Sequence, residues 1–255
     1  MKALLIMIPV LLTAADPKQS LTFHASFDKG LEADFAKGDK SIYYAPSYKE
    51  QATAVKGLGQ APVALEGGAL RFKSKHTSAL FFKTTGNVSP TTGTFSFKLK
   101  LDPDQDLDPG FCDPVQITDK AYNDSAIWVD FTKDDKPRHF RLGVFGELKV
   151  WNPANLEPDK NPKFNERLVI VKQPPFNRTK WTHVVITYEG LGTGKGTASL
   201  YLDGKLQGTT PNIGESFAWD AVSGAIRLGV NYTGLMDDIA VYSRVLTAKE
   251  IAKLK

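Results

Sequence analysis

The chain is expected to fold as an all-β protein, a two-sheet antiparallel jelly-roll β-sandwich with a short C-terminal helix. Three observations predict it. Short stretches such as Thr94–Leu101 (TFSFKLKL) alternate apolar and polar residues with the period of a strand. Clusters of Gly, Pro, Asn and Asp separate these stretches, as turns require. A helical pattern is nearly absent until the last residues. The 255 residues, 42% of them hydrophobic, suffice for one sizeable core, and large β-sandwiches reach this length as a single domain. The expected organisation is a leader at 1–15 followed by one sandwich domain over 16–255.

The elements follow in order. Residues 1–15 carry Lys2, an apolar run from Ala3 to Leu12, and the small residues Thr13 and Ala15 before Asp16. This is the form of a secretory signal peptide, and the run is too short for a permanent span. Secretion, or export to the periplasm or cell envelope, is the expectation, with no membrane span in the mature chain. Leu21, Phe23, Ala25 and Phe27 share one face of a first strand, closed by Asp28-Lys29-Gly30. Residues 30–68 show no sustained period and read as a long loop with a weak strand or two. Gly67–Phe72 and Ser78–Phe82 read as a pair of strands.

In Thr94–Leu101, Phe95, Phe97, Leu99 and Leu101 point inward. Asp102–Pro114 is an acidic Pro/Asp/Gly loop, of the kind solvated turns use, although such a run could hold a cation. Ala126–Val144 reads as a hairpin turning at Lys133–Pro137. Ile127, Val129 and Phe131 face Phe140, Leu142 and Val144, which turns Trp128 and Asp130 to the other side with His139 and Arg141. Continuing the alternation, Leu148 and Val150 point in, and Lys149 and Trp151 point out. Residues 152–178 form a Pro/Asn-rich loop around one strand, Leu168–Val171. Trp181–Tyr188 and Thr197–Leu202 are strands. Asp203-Gly204 then makes a tight turn that pairs Ala198–Leu202 with Leu206–Thr209. Ile226, Leu228 and Val230 alternate in another strand. The last stretch, Gly234–Leu254 (GLMDDIAVYSRVLTAKEIAKL), reads as strand, turn and short helix. Thr247 and Glu250 have capping-box spacing, and Ile251 and Leu254 can lie down together.

That closing stretch carries a resemblance. It is similar to the end of the laminin-G-like jelly-roll domains of the concanavalin-A-like lectin and glucanase superfamily. Lys180–Val185, Ala198–Lys205 and Ile226–Gly229 match the same pattern in order and spacing, so the resemblance covers about residues 178–254. The middle, 102–178, departs from it. The resemblance implies that the first and last strands are neighbours and that a structural Ca²⁺ can sit between them, on Asp28, Asp237 and Asp238. Carboxylates so gathered repel unless a cation or a basic partner such as Lys29 or Arg244 is present. It also implies that Trp181 is a packing residue; His183 beside it reads as a hydrogen-bonded structural histidine.

The outward face of the central hairpin is the candidate ligand site: Trp128, Asp130, His139, Arg141, Lys149 and Trp151. Indole rings stack on sugar rings, and fixed polar groups bond hydroxyls. The competing expectation is that loops fold over this face and bury both tryptophans as a second small core. Trp219 could line a rim or be buried.

No catalytic residue is assigned. The glucanase signature Glu-x-Asp-x-x-Glu is absent, as are a Gly-x-Ser-x-Gly elbow and a His-Glu-x-x-His pair. The four histidines, at 24, 76, 139 and 183, have no close metal-ligand spacing. A net charge of +4 without a Lys/Arg block gives no reason to expect nucleic acid. Cys112 is alone, so no internal disulfide forms. The expected function is non-catalytic, lectin-like binding of a glycan or cell-surface polysaccharide. The alternatives are a polysaccharide-degrading enzyme with an unfamiliar site, or a protein-interaction module of the cell envelope.

Overall fold

A computed structural model of the chain describes residues 16–254. The expected signal peptide at 1–15 lies outside the described residues. Strands are numbered in chain order. One sheet of nine strands runs β15 (Lys205–Thr209), β14 (Thr197–Leu202), β13 (Thr182–Glu189), β8 (Gly93–Lys100), β17 (Gly234–Tyr242), β1 (Leu21–Ala25) and β2 (Phe35–Ala36). Its other two members, β5 (Val63–Glu66) and β6 (Ala69–Phe72), join it where β6 pairs with β17. The second sheet, of eight strands, runs β12 (Leu168–Val171), β11 (Phe140–Phe145), β10 (Ala126–Phe131), β9 (Cys112–Thr118), β16 (Ala225–Val230), β7 (Ala79–Lys83), β3 (Tyr43–Ala45) and β4 (Val55–Lys56). The pairings are antiparallel. The molecule is a jelly-roll sandwich.

Alternation explains the layering. Phe95, Phe97 and Leu99 of β8 and Ile127, Val129, Leu142 and Val144 of the β10–β11 hairpin meet in one central core. The Asp203-Gly204 turn has positive φ at both residues, the backbone a two-residue type I′ hairpin needs, and it pairs Leu202 with Lys205. The capping box forms: the Thr247 hydroxyl accepts from the Glu250 N–H, and the Glu250 carboxylate accepts from the Thr247 N–H. It starts the C-terminal helix (Ala248–Ile251), whose Ile251 packs with Leu246 and Tyr242 on the outer face of the nine-stranded sheet.

Five expectations need correction. The strands at 67–72 and 78–82 exist but lie in opposite sheets, because β6 pairs with β17 and β7 with β16. Leu21 leaves the inward row of Phe23 and Ala25, since a bulge shifts the register after it and sends it to the outer cluster. Residues 112–118 are a full strand, β9, where a loop was expected to run to Pro114. Leu148–Trp151 is a helical turn, not a strand, so the alternation there fails: Val150 is 56% exposed and Trp151 is buried. Trp181 is half-buried with Lys100 over its ring, a rim position more than a core one.

Candidate functional site

The hairpin supplies the site's floor. Its pairing puts Asp130 opposite Arg141 and Trp128 opposite Gly143. These side chains leave the sheet on the face away from the central core, as alternation requires. Gly143 is needed here. A Cβ at this position would overlap the Trp128 indole, so the ring lies flat across a strand that presents no side chain.

A second small core forms on this face. Trp128, Phe145, Trp151 and Phe164 cluster together with Tyr122 against them. The Trp128 and Phe145 rings stack at 5.9 Å and 13°, and Phe164 stacks on Phe145 at 5.0 Å. Both indole N–H groups are satisfied by carbonyls, Trp128 donating to Tyr122 at 2.6 Å and Trp151 to Asn123 at 2.8 Å. Trp128 is 2% exposed and Trp151 5%. The expectation that both rings stand out in solvent is therefore corrected. The loop at 152–167 folds over the hairpin, because Phe164, on a short helix at Pro162–Glu166, buries its ring against Trp128, Phe145 and Trp151.

The cover is incomplete. A cavity of about 330 Å³ remains beside it. Phe111, Tyr122, Trp128 and Phe164 give it aromatic walls. Asp113, Asp130, Arg141 and Glu157 give it charge. Arg141 grips Asp130 with two parallel hydrogen bonds, Nε to Oδ1 at 2.8 Å and Nη2 to Oδ2. Its guanidinium lies 5.2 Å from the Phe111 ring centre and 5.9 Å from that of Trp128. Asp113 projects from β9 and accepts from Gln116 Nε2. Burial, and then the Asp130 charge, push the Asp113 carboxyl up to about 7. Further along the same face Arg227 lies over the Tyr48 ring at 4.6 Å and donates to the Lys120 carbonyl.

Of the six expected ligand residues, the cavity thus brings together Trp128, Asp130 and Arg141. Trp151 packs behind Phe145, under Arg167, and does not line the cavity. Lys149 is exposed on the helical turn, and His139 turns toward Asp135 at 3.5 Å. Phe111, Asp113, Tyr122, Glu157 and Phe164 join from loops and from β9. The acidic loop that contains Asp113 was the one sequence signal for any of them.

At the other candidate site the chain ends do meet: β1 pairs with β17, Ala25 opposite Ile239. A bulge between Asp237 and Ala240 puts Asp238 in the left-handed region, φ 48°. The Asp238 carboxylate accepts from Lys98 Nζ at 2.5 Å and lies 3.6 Å from His24 Nε2. The His24 bond and the Lys98 charge hold its carboxyl down at about 2, against the effect of burial. Asp237 accepts the Asp238 N–H at 2.7 Å, and burial with the Asp238 and Asp28 charges raises it to about 6. Asp28 is exposed nearby. These donors do not fit a Ca²⁺ cage: Asp238 is already neutralised by Lys98, and Ca²⁺ asks for six to eight oxygens. Among the described residues no group of three or more His, Cys, Asp or Glu side chains is spaced to hold a metal. His183 bonds Ser96 at 2.7 Å, as a structural histidine would, and Trp219 is partly buried, its N–H donating to Ser125.

Comparison with known proteins places this architecture. A family model described as the concanavalin A-like lectin/glucanases superfamily matches residues 114–252, more than half of the chain. No curated protein sequence matches. Among solved structures, domain 4 of AbnA, a GH43 extracellular arabinanase from Geobacillus stearothermophilus, in complex with arabinotriose, superimposes with a TM-score of 0.55 at 17% identity, covering 92% of this chain and 98% of that one. Trypanosoma rangeli sialidase gives 0.54 at 15% identity over 98% of this chain, which spans only 35% of that enzyme. The binding domain of botulinum neurotoxin DC in complex with SialylT gives 0.56 at 11% identity, over 94% of this chain and 52% of that one. At these identities the likeness establishes fold. No helix among the described residues is long and apolar enough to cross a membrane.

Proposed function

The chain belongs to the concanavalin A-like lectin/glucanases superfamily, and from that premise we propose that it binds a carbohydrate, non-catalytically, in the cavity over the β10–β11 hairpin. One observation carries the reading. The cavity of about 330 Å³ has aromatic walls and fixed charged groups at one place, the combination that holds a sugar ring by its apolar face and its hydroxyls by directed bonds. Two solved structures of the same fold, the arabinanase domain and the neurotoxin binding domain, hold saccharide ligands by their own descriptions, which supports the reading without fixing the sugar. An exported protein meeting a glycan or cell-surface polysaccharide agrees with the expected signal peptide.

The test is retention on a panel of polysaccharides by affinity electrophoresis. Phe111 is 45% exposed, so truncating it spares the core; the Tyr122 ring packs on Phe164, so Tyr122→Ala is compared only after its Tm shows that it remains folded. The expected result is retention of the wild type by at least one polysaccharide, weakened about tenfold in Phe111→Ala and in Tyr122→Ala. Retention unchanged in both variants discards this cavity. A hydrolytic role is the second reading. It is favoured by Asp113, a carboxyl raised to about 7 beside Asp130, since a general acid must keep its proton near neutrality. Release of reducing ends by the wild type, lost in Asp113→Asn, would replace binder by enzyme.

A further inference from the structure

The cavity also has a sign. Three acidic side chains line it, Asp113, Asp130 and Glu157, against one guanidinium, Arg141. That single cation is already committed. Two of its N–H groups hold Asp130, and the Phe111 and Trp128 rings lie beside its guanidinium. Lys133, above the Phe111 ring, is paired with Asp134 at 3.5 Å. With Asp130 paired and Asp113 ionising only as pH rises toward about 7, a ligand entering the cavity meets electron-rich ring faces, the Glu157 carboxylate and, above that pH, the Asp113 charge as well. All repel an anion and attract a cation.

We infer that the cavity is selective by charge: it takes sugars that are neutral or carry an amine, and it excludes sugars that carry a carboxylate. The inference rests on the carbohydrate reading above and adds the substrate class to it. Hydroxyls suit the site because each can donate to a carboxylate or accept from the remaining Arg141 N–H groups. A uronate or sialate carboxylate would have to compete with Asp130 for Arg141 while facing Glu157 and, once it is ionised, Asp113. An ammonium group would find carboxylates and ring faces together.

The test uses the polysaccharide that retains the protein best, in four forms: unmodified, oxidised at its primary alcohols to carboxylates, the methyl ester of that oxidised form, and aminated at the same carbons. The ester keeps the size of the oxidised form and removes its charge. The expected order is amine at least as tight as the parent, ester close to the parent, and carboxylate weaker by about tenfold or more. The deficit of the carboxylate form should shrink as salt rises, because it is electrostatic. In Glu157→Gln, a change at an exposed position, the ratio between parent and carboxylate forms should narrow. A carboxylate form that binds as tightly as the parent, or a panel in which only acidic polysaccharides are retained, overturns the charge selectivity and leaves the carbohydrate reading standing. A panel in which nothing is retained takes down the carbohydrate reading itself, and the selectivity with it.

Discussion

Each sheet carries a charged cluster on its outer face, and the two are solvated differently. Over the hairpin, Asp130 and Arg141 keep only 5% and 10% of their side-chain surface, roofed by Trp128 and Phe111. At the β1–β17 edge, Asp238, Lys98 and His24 keep 31%, 22% and 34%. The chemistry is the same, carboxylate against base. The consequence differs because burial raises the cost of an unpaired charge, while water shares the load at the open edge. Rigid, dry charge suits the recognition role proposed for the hairpin, whereas the edge cluster meets solvent beside the bulge of β17.

The largest expected effect tests that contrast directly. Arg141→Met leaves Asp130 buried without its partner and should lose about 3–5 kcal/mol of stability. Lys98→Met leaves Asp238 to water and His24 and should lose about 1 kcal/mol or less. Urea unfolding of the two variants measures both. Equal losses would mean that the two clusters are not differently solvated, and the contrast would fall.

A smaller effect follows from pH. The Asp113 carboxyl stands at about 7 against an ordinary 3.8, because burial and Asp130 disfavour its charge. The folded state thus holds a proton that the unfolded chain has released between these values. The associated stability is complete below 3.8 and fades as pH rises through about 7. Asp238 has the opposite sign: its stability is present above 3.8 and is lost only as pH falls through about 2. Asp113→Asn removes the first of these and should gain on the wild type from pH 4 to pH 8. The gain should be at least about 2 °C in Tm, a modest figure because the carboxyl still faces the cavity. A difference in Tm that does not change with pH would mean that Asp113 is solvated and ionised throughout.

The same contrast explains what was legible in the sequence. Alternation of Ile127, Val129, Leu142 and Val144 announces the hairpin and its two faces, since one face must bury. It says nothing about what covers the other face. The cover comes from Phe164 and Tyr122, and contacts between distant residues leave no local period. β9 was hidden because Asp113-Pro114 reads as a turn and only Val115 and Ile117 alternate after it. Leu148–Trp151 misled for the converse reason: two apolar residues two apart fit a strand, yet a single helical turn also carries Trp151 inward. Of the candidate site, Trp128, Asp130 and Arg141 were readable because the hairpin register fixes them. At the chain ends, the pairing of the first strand with the last was readable from the resemblance, but the pairing of Asp238 with Lys98 was not. It depends on β17 lying beside β8 and on the bulge after Asp237.

The smallest expected effect concerns calcium at that edge. Gathered carboxylates need a counter-charge, and a bound Ca²⁺ and the pair of Lys98 and His24 are rival ways to supply it. Lys98 Nζ at 2.5 Å already meets the need of Asp238, and burial keeps a proton on Asp237 up to about 6. Thermal unfolding with excess Ca²⁺ and with a chelator should therefore agree to within about 1 °C, because a ligand stabilises only in proportion to its binding to the folded state. In Lys98→Met the rivalry is lifted, and Ca²⁺ should now raise Tm if the three aspartates can gather around it at all. A wild type that gains several degrees from Ca²⁺ would restore the ion to the β1–β17 edge and reduce Lys98 to a bystander.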